Sequence, residues 1–342
     1  MKPAIFWHTN ESGVIQCELC PHHCLIPDKH AGRCGIRFTA NGGLQARGYG
    51  LLSGLHNDPI EKKPLYHFYP GYEIFSIGGW GCNFACSFCQ NWTISQQIDW
   101  KARLYTPEEI VQLARAEHSI GIAYTYNEPL INIEFIRDCA ALARAAGLVN
   151  VLVTNGYIEE APAGFILPLI DALNIDIKSM ENEFYRKQCR GSLDPVLRFS
   201  RQAARQGCHV EITNLLIPGL NDALEQVGLL SQWLSENLGP ATPLHLSAYR
   251  PEYKMNIPPT SLATLERAYE RCRRDLHYVY MGNVLTQAGQ NTLCPQCGQP
   301  WILRRGYETK VAGIKSGACA QCGRPAEVVM PRNNQDTRIS NG

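Results

Sequence analysis

The sequence carries almost no net charge: 32 Lys and Arg stand against 31 Asp and Glu, a formal +1. That removes any whole-chain electrostatic reason to expect a nucleic acid or an anionic membrane as partner; only a local basic groove would supply one. Long apolar runs are missing too. The longest candidates, "AGFILPLIDALNI" and "NVLVTNG", are too short or are broken by polar residues, so no membrane-spanning helix is expected. The opening "MKPAIFWHTNESGVIQC" is interrupted before an apolar stretch of signal-peptide length develops. The expected location is cytoplasmic.

Cysteine is what the sequence has in excess. There are 15, an odd number, in a chain of 342 residues. Without a secretion signal, a disulfide framework is a poor reading, and metal or redox chemistry is a better one. The cysteines are also clustered. Cys17, Cys20, Cys24 and Cys34 form one set, Cys82, Cys86 and Cys89 a second, and Cys294, Cys297, Cys319 and Cys322 a third. Cys139, Cys189, Cys208 and Cys272 are scattered and read as buried or indifferent thiols.

Composition divides the chain into four stretches. Residues 1–60 are rich in Gly, His and Cys and read as a small metal-stapled module with little core of its own, with a hairpin turn near "GGLQARGYG". Across 61–290, short β-rich runs alternate with helical ones. The expected strands are 73–78, 121–125, 148–153, 172–177, 208–213, 243–248 and 276–281. Thr106, Pro107 and Glu109 form a strong helix start, and Gly147 a stop. Alternation at this spacing predicts an α/β fold of parallel βα units, closed or partly closed into a barrel. Polar residues gather just after these strands, where parallel α/β folds bind ligands. Residues 291–326 pair two C-x2-C-G knuckles, which predicts a four-cysteine zinc ribbon. Residues 327–342 read as a polar, frayed tail, and Arg304 and Arg305 as solvated charges.

The stretch "GGWGCNFACSFCQN" decides the chemistry. Its cysteines at i, i+4 and i+7 would suit a helical stripe. However, Gly78, Gly79 and Gly81 precede them, and Asn83 and Ser87 lie between, which favours a loop after the first strand. Its amides are suited to a negatively charged cluster. Three thiolates with no fourth nearby leave one coordination position open, the mark of a reactive rather than a structural site.

This C-x3-C-x2-C pattern, with Phe88 before the third cysteine, resembles the radical S-adenosylmethionine superfamily over roughly residues 70–285. With "CELCPHHCLIPDKHAGRCGIR", "PLYHFYPG" and "YTYNEP", the chain is most similar to the radical enzymes of the AmmeMemoRadiSam system, relatives of pyruvate formate-lyase activating enzymes. The resemblance implies a partial (β/α)6-type TIM barrel. It implies a [4Fe-4S] cluster on Cys82, Cys86 and Cys89 that cleaves S-adenosylmethionine reductively to methionine and a 5′-deoxyadenosyl radical, which takes hydrogen from a substrate. Phe88, Asn127, Glu128, Asn155, Gly156, Asp176, Thr213, Asn214, Ile217 and Asn283 would meet the cofactor. Asp176, Lys178, His245 and Arg250, with Tyr249 nearby, would reach substrate. Asp176 and Lys178 alternate on an apolar strand, so both can point inward, and burying such a pair is costly without purpose. The implied partners are an electron donor such as flavodoxin or ferredoxin, and AMMECR1-like and Memo-like proteins.

The first cysteine set, with His22, His23 and His30 as alternative ligands, suits zinc or an auxiliary iron–sulfur cluster. Activases with extra clusters place those cysteines after the radical motif, not before it, which weakens glycyl-radical activation as the function. Competing readings are modification of a small molecule or macromolecule, a glycyl-radical activase, and a metal-stapled binding module without catalysis.

Overall fold

A computed structural model describes residues 2–331. Its centre is an eight-stranded sheet in sequential order: β1 (Gly54–Pro59), β2 (Glu73–Gly78), β3 (Gly121–Thr125), β4 (Val149–Thr154), β5 (Ala172–Asp176), β6 (His209–Leu216), β7 (Leu244–Ala248) and β8 (Val279–Gly282). β1 pairs antiparallel with β2, and every later neighbour is parallel. β1 and β8 do not pair with each other, so the sheet is a partial barrel. Its first strand comes from the stretch read as the N-terminal module. Among the described residues, no helix is long and apolar enough to cross a membrane.

The crossover helices form where the start signals were strongest. α1 (Pro107–Ala116) opens on a complete capping box between Thr106 and Glu109. α2 (Ile133–Ala145) ends before Gly147, which sits at φ 78. α1 buries Ile110, Val111 and Ala114, and α2 buries Phe135, Ile136, Cys139, Ala140 and Ala143, against the strands.

Ahead of the barrel lie two small sheets. One contains Lys2–Pro3, Gly43–Ala46 and Arg37–Ala40; the other contains Trp7–Thr9, Ile15–Cys17 and Leu25–Ile26. The hairpin of the first turns at Asn41 and Gly42, both at positive φ. The two sheets have no separate core: Cys17, Leu19, Ile26 and Leu44 belong to the same apolar cluster as Ile77, Phe84 and Phe135. Buried Arg37 reaches across to Glu134 of α2 at 2.9 Å.

Residues 64–69 cross beneath the N-terminal ends of the strands and floor the barrel. Asn174 donates to the Pro64 carbonyl at 2.7 Å. The Tyr66 and His67 amides donate to the Glu211 carboxylate at 2.9 and 2.7 Å. The C-terminal ribbon, built on Pro300–Arg305 and Glu308–Val311, docks on this floor. Arg304 is therefore buried, not solvated: it lies over Tyr66 at 4.1 Å and donates to the Tyr66 and Gln290 carbonyls. Strand alternation turns it inward and leaves Arg305 exposed. The start of the tail is also pinned rather than frayed, since the amide of Val329 donates to His67 O at 2.7 Å and its carbonyl accepts from Tyr69 N at 2.8 Å. Residues 332–342 of the tail lie outside the described residues.

His67 joins ribbon and floor as a neutral ring. Its Nδ1 meets the Glu327 carbonyl at 2.6 Å and so carries the proton, while its Nε2 accepts from the Tyr280 hydroxyl at 2.6 Å. Burial pushes its pKa down to about 4. The unfolded ring takes a proton near 6.5, whereas the buried ring resists until about 4. This contribution is therefore complete above pH 6.5 and is lost as pH falls toward 4, by about 3 kcal/mol. Denaturant midpoints measured across that window should fall for the wild type. They should fall less for His67→Gln; equal slopes for the two proteins would refute the assignment.

Candidate active site

The second cysteine set lies on an irregular loop after β2, as its glycines predict. The loop is held from several sides. Asn127 accepts from Gly79 N and donates to Gly81 O, both at 2.9 Å. The Ala85 and Ser87 amides donate to the Cys189 and Gln188 carbonyls at 2.9 Å. Gly81 sits at φ 84, and a Cβ there would stand 2.3 Å from the Cys34 carbonyl oxygen, so glycine is required twice over.

Cys82, Cys86 and Cys89 line one cavity of ≈ 540 Å³. The other walls come from the rim after the strands: Thr125 to Glu128, Thr154 and Asn155, Asp176 and Lys178, Thr213 and Leu215, Ser247, and Asn283. Each thiol has a donor or cation nearby. Phe84 N and Asn155 Nδ2 approach the Cys82 sulfur at 3.3 and 3.7 Å. Ser95 and the Asn91 amide serve Cys89, and the Cys189 thiol serves Cys86. Lys178 is an ion-paired cation, 2.7 Å from Asp176. Burial disfavours its charge, but the Asp176 carboxylate and Cys86 together hold its pKa above the ordinary value. Amide donors and a fixed cation around three thiols fit a bound group of negative charge.

Several expected residues play other parts. Glu128 lines the cavity, yet its oxygens accept from Leu130 N, Thr154 Oγ1 and Asn155 N at 2.8–2.9 Å, clamping two strand ends together. Burial raises its pKa to about 7 against those bonds. Asn155 links Asn83, at 2.9 Å, to the Cys82 sulfur. Phe88 lines the cavity and packs on Phe184.

Asn214 and Ile217 do not reach the cavity. β6 runs on to Leu216, so Thr213 and Leu215 face inward, while Asn214 turns outward to donate to Ile177 O at 2.7 Å. Ile217 is buried, its amide held by Asn221. Gly156 packs against Phe199 and Ile175. His245 is the second residue of β7, at the end away from the rim, and pairs with Glu211 at 2.6 Å in the floor. Tyr249 is buried with its hydroxyl on Met255 O. Arg250 is exposed, with a long contact of 3.5 Å to the Asn283 carbonyl.

Sequence reasoning missed two features. Cys189, read as indifferent, stands against Cys86. Lys62 and Lys63 line the cavity on the β1 side, bound to Asp58 at 2.7 and 2.6 Å, with the Tyr126 hydroxyl on the same carboxylate. The charged run "DPIEKKP" before an apolar strand was the available signal for the second.

In the ribbon, Cys294 and Cys322 stand 3.6 Å apart, as do Cys297 and Cys319. All four sulfurs lie within 4.8 Å of one another and could hold a metal ion. The first set lines a separate enclosed cavity. Of the histidines offered as alternative ligands, His23 has both ring nitrogens on Glu18 and Glu159, His30 has its Nδ1 on Asp28 O, and His22, which lines this cavity, has its Nε2 on Asn83 O.

Residues 77–228 match the radical SAM superfamily. An uncharacterized protein of Methanocaldococcus jannaschii is 42% identical over 338 residues, covering 96% of this chain and 100% of that protein. The pyruvate formate-lyase 1-activating enzyme of Escherichia coli K12 is 22% identical, over 55% of this chain and 83% of its own length. Among solved structures, a radical SAM methyltransferase from Sphaerobacter thermophilus aligns with a TM-score of 0.49 at 18% identity, covering 68% of this chain and 71% of that one.

Proposed function

The chain belongs to the radical S-adenosylmethionine superfamily, and from that premise we propose that it cleaves S-adenosylmethionine reductively and directs the resulting radical at a substrate held in the barrel. The observation that carries this is the cysteine loop facing the rim: only three cysteines line the cavity among the described residues, and six strand ends supply polar groups around them. When bound there, a [4Fe-4S] cluster supplies the electron for cleavage to methionine and a 5′-deoxyadenosyl radical.

This chain's own residues do the rest. Cys82, Cys86 and Cys89 hold the cluster. Lys178 places a positive charge beside Cys86 and offsets its thiolate. Asp176, paired on one oxygen and partly exposed to the cavity, is the group best placed to accept hydrogen bonds from a ligand. Thr213, Ser247 and Asn283 add neutral polar contacts on the far wall. Asn127 and Glu128 act by fixing the loop and strand ends. The floor closes the N-terminal end of the barrel, which keeps solvent from entering behind the site.

Zinc in the ribbon, electron supply by a flavodoxin- or ferredoxin-like carrier, and association with AMMECR1-like and Memo-like proteins belong to the same proposal. Anaerobic protein with an occupied cluster, reduced and given S-adenosylmethionine, should release 5′-deoxyadenosine measurable by liquid chromatography. No release from fully loaded protein overturns the proposal.

A further inference from the structure

The three cysteine sets differ in spacing. Zinc binds thiolate at about 2.3 Å, so four thiolates in a tetrahedron stand about 3.8 Å apart. The ribbon pairs, at 3.6 Å, meet that requirement. Among the described residues, the ribbon is the only group of three or more Cys, His, Asp or Glu whose ligand atoms all lie within 4.8 Å of one another. Neither the radical-loop triad nor any three of Cys17, Cys20, Cys24 and Cys34 meets it. Yet these last four surround one enclosed cavity with room for a water-sized centre, ≈ 10 Å³. They are gathered around a common point but stand too far apart for one ion. Wider spacing around one centre suits an iron–sulfur cluster, whose thiolates attach to different irons across a core of metal and sulfide.

The surroundings are built. Buried Arg37, anchored by Glu134 and the Ile5 carbonyl, reaches the Cys17 thiol. His23 has both ring nitrogens on carboxylates, and His22, which also lines the cavity, has its Nε2 on the Asn83 carbonyl. None of the four cysteines is in a disulfide.

We infer that Cys17, Cys20, Cys24 and Cys34 hold a second iron–sulfur cluster, closed by four protein thiolates and seated directly against the radical loop. The seating is explicit. The Cys34 carbonyl lies against Gly81, the residue before Cys82. His22 bonds the Asn83 carbonyl at 2.7 Å, and the Asn83 side chain bonds Asn155, which approaches the Cys82 sulfur. The same loop that holds the first cluster is thus one wall of the second, since Asn83 lines its cavity.

The assignment is tested on full-length protein purified without oxygen, using metal and sulfide analysis, visible absorption and electron paramagnetic resonance. The triple variant Cys82→Ala, Cys86→Ala, Cys89→Ala should retain about two to four irons with matching sulfide, and about one zinc. It should remain coloured, which zinc with its filled d shell cannot explain. If that variant does not fold, the reciprocal Cys20→Ala, Cys24→Ala variant should lose about a third to a half of the wild-type iron while its zinc stays unchanged. A colourless, folded triple variant, whether with a second zinc or with no second metal, overturns the inference; so does a reciprocal variant with undiminished iron. Either result leaves the radical-loop reading standing if the wild type still cleaves S-adenosylmethionine. Loss of cleavage with both clusters present would instead strike that reading alone.

Discussion

Replacing Cys86 with alanine should abolish release of 5′-deoxyadenosine and remove the iron of the radical loop, while the fold survives. Cys86 is half-buried on a loop, and the backbone bonds of its neighbours Ala85 and Ser87 to Cys189 and Gln188 do not depend on its side chain. Three thiolates are the minimum that holds the cluster, so losing one should cost far more than the roughly 10–100-fold typical of losing an outer partner. Cys189→Ala provides the comparison. Its thiol touches Cys86 but does not line the cavity, so its loss should stay within that smaller range and leave iron bound. Measuring turnover and iron per chain for both variants separates ligand from support. Cleavage by Cys86→Ala at more than about a tenth of the wild-type rate would remove the cysteine from the ligand set.

Glu211→Gln should produce the largest loss of stability, about 3–5 kcal/mol. The carboxylate is fully buried and accepts from the Tyr66 and His67 amides, from His209 at 2.9 Å and from His245 at 2.6 Å. Burial opposes its ionisation, but the two imidazoles hold its pKa well below the usual carboxylate range. An amide presents donors where only donors converge. One or two of these partners then stay buried and unpaired, and the penalty falls on the floor rather than the rim. Chemical denaturation would show the shift, and iron content of the folded fraction should be unchanged. A loss below about 1 kcal/mol would mean that the four donors find other acceptors.

The rim was legible because it depends on local order. A parallel α/β chain places its polar residues after each strand, and Asp176, Lys178, Thr213, Asn155 and Asn283 could be found by reading forward from each β-rich run. The errors arose where one residue of strand length changes the face. β6 continues to Leu216, so Asn214 falls on the outer side although Thr213 falls on the inner. His245 lies on an inward-facing position of β7 but near its N-terminal end, and alternation alone cannot say which end of a barrel an inward residue reaches. The floor was invisible for another reason. Tyr66, Glu211, Tyr280 and Arg304 are far apart in sequence, and no periodicity links them. An acid in mid-strand, Glu211 within "CHVEIT", was the one local hint that something polar had to meet it. Spacing in "CELCPHHC" likewise made a metal expected but left one ion and a cluster open, and the inference of a cluster rests on where the sulfurs are placed.

The floor also sets a schedule for the chain. Its bonds join His67 to Glu327, 260 residues later, and Tyr66 to Arg304, 238 residues later. During synthesis from the N-terminus, every barrel strand leaves the ribosome before the partners that finish the base of the sheet. The nascent protein must wait, with Tyr278 and Tyr280 uncovered at the last strand, until the ribbon arrives and folds. The four ribbon cysteines could hold a metal ion, and with one bound, its supply would set when the base of the barrel is covered.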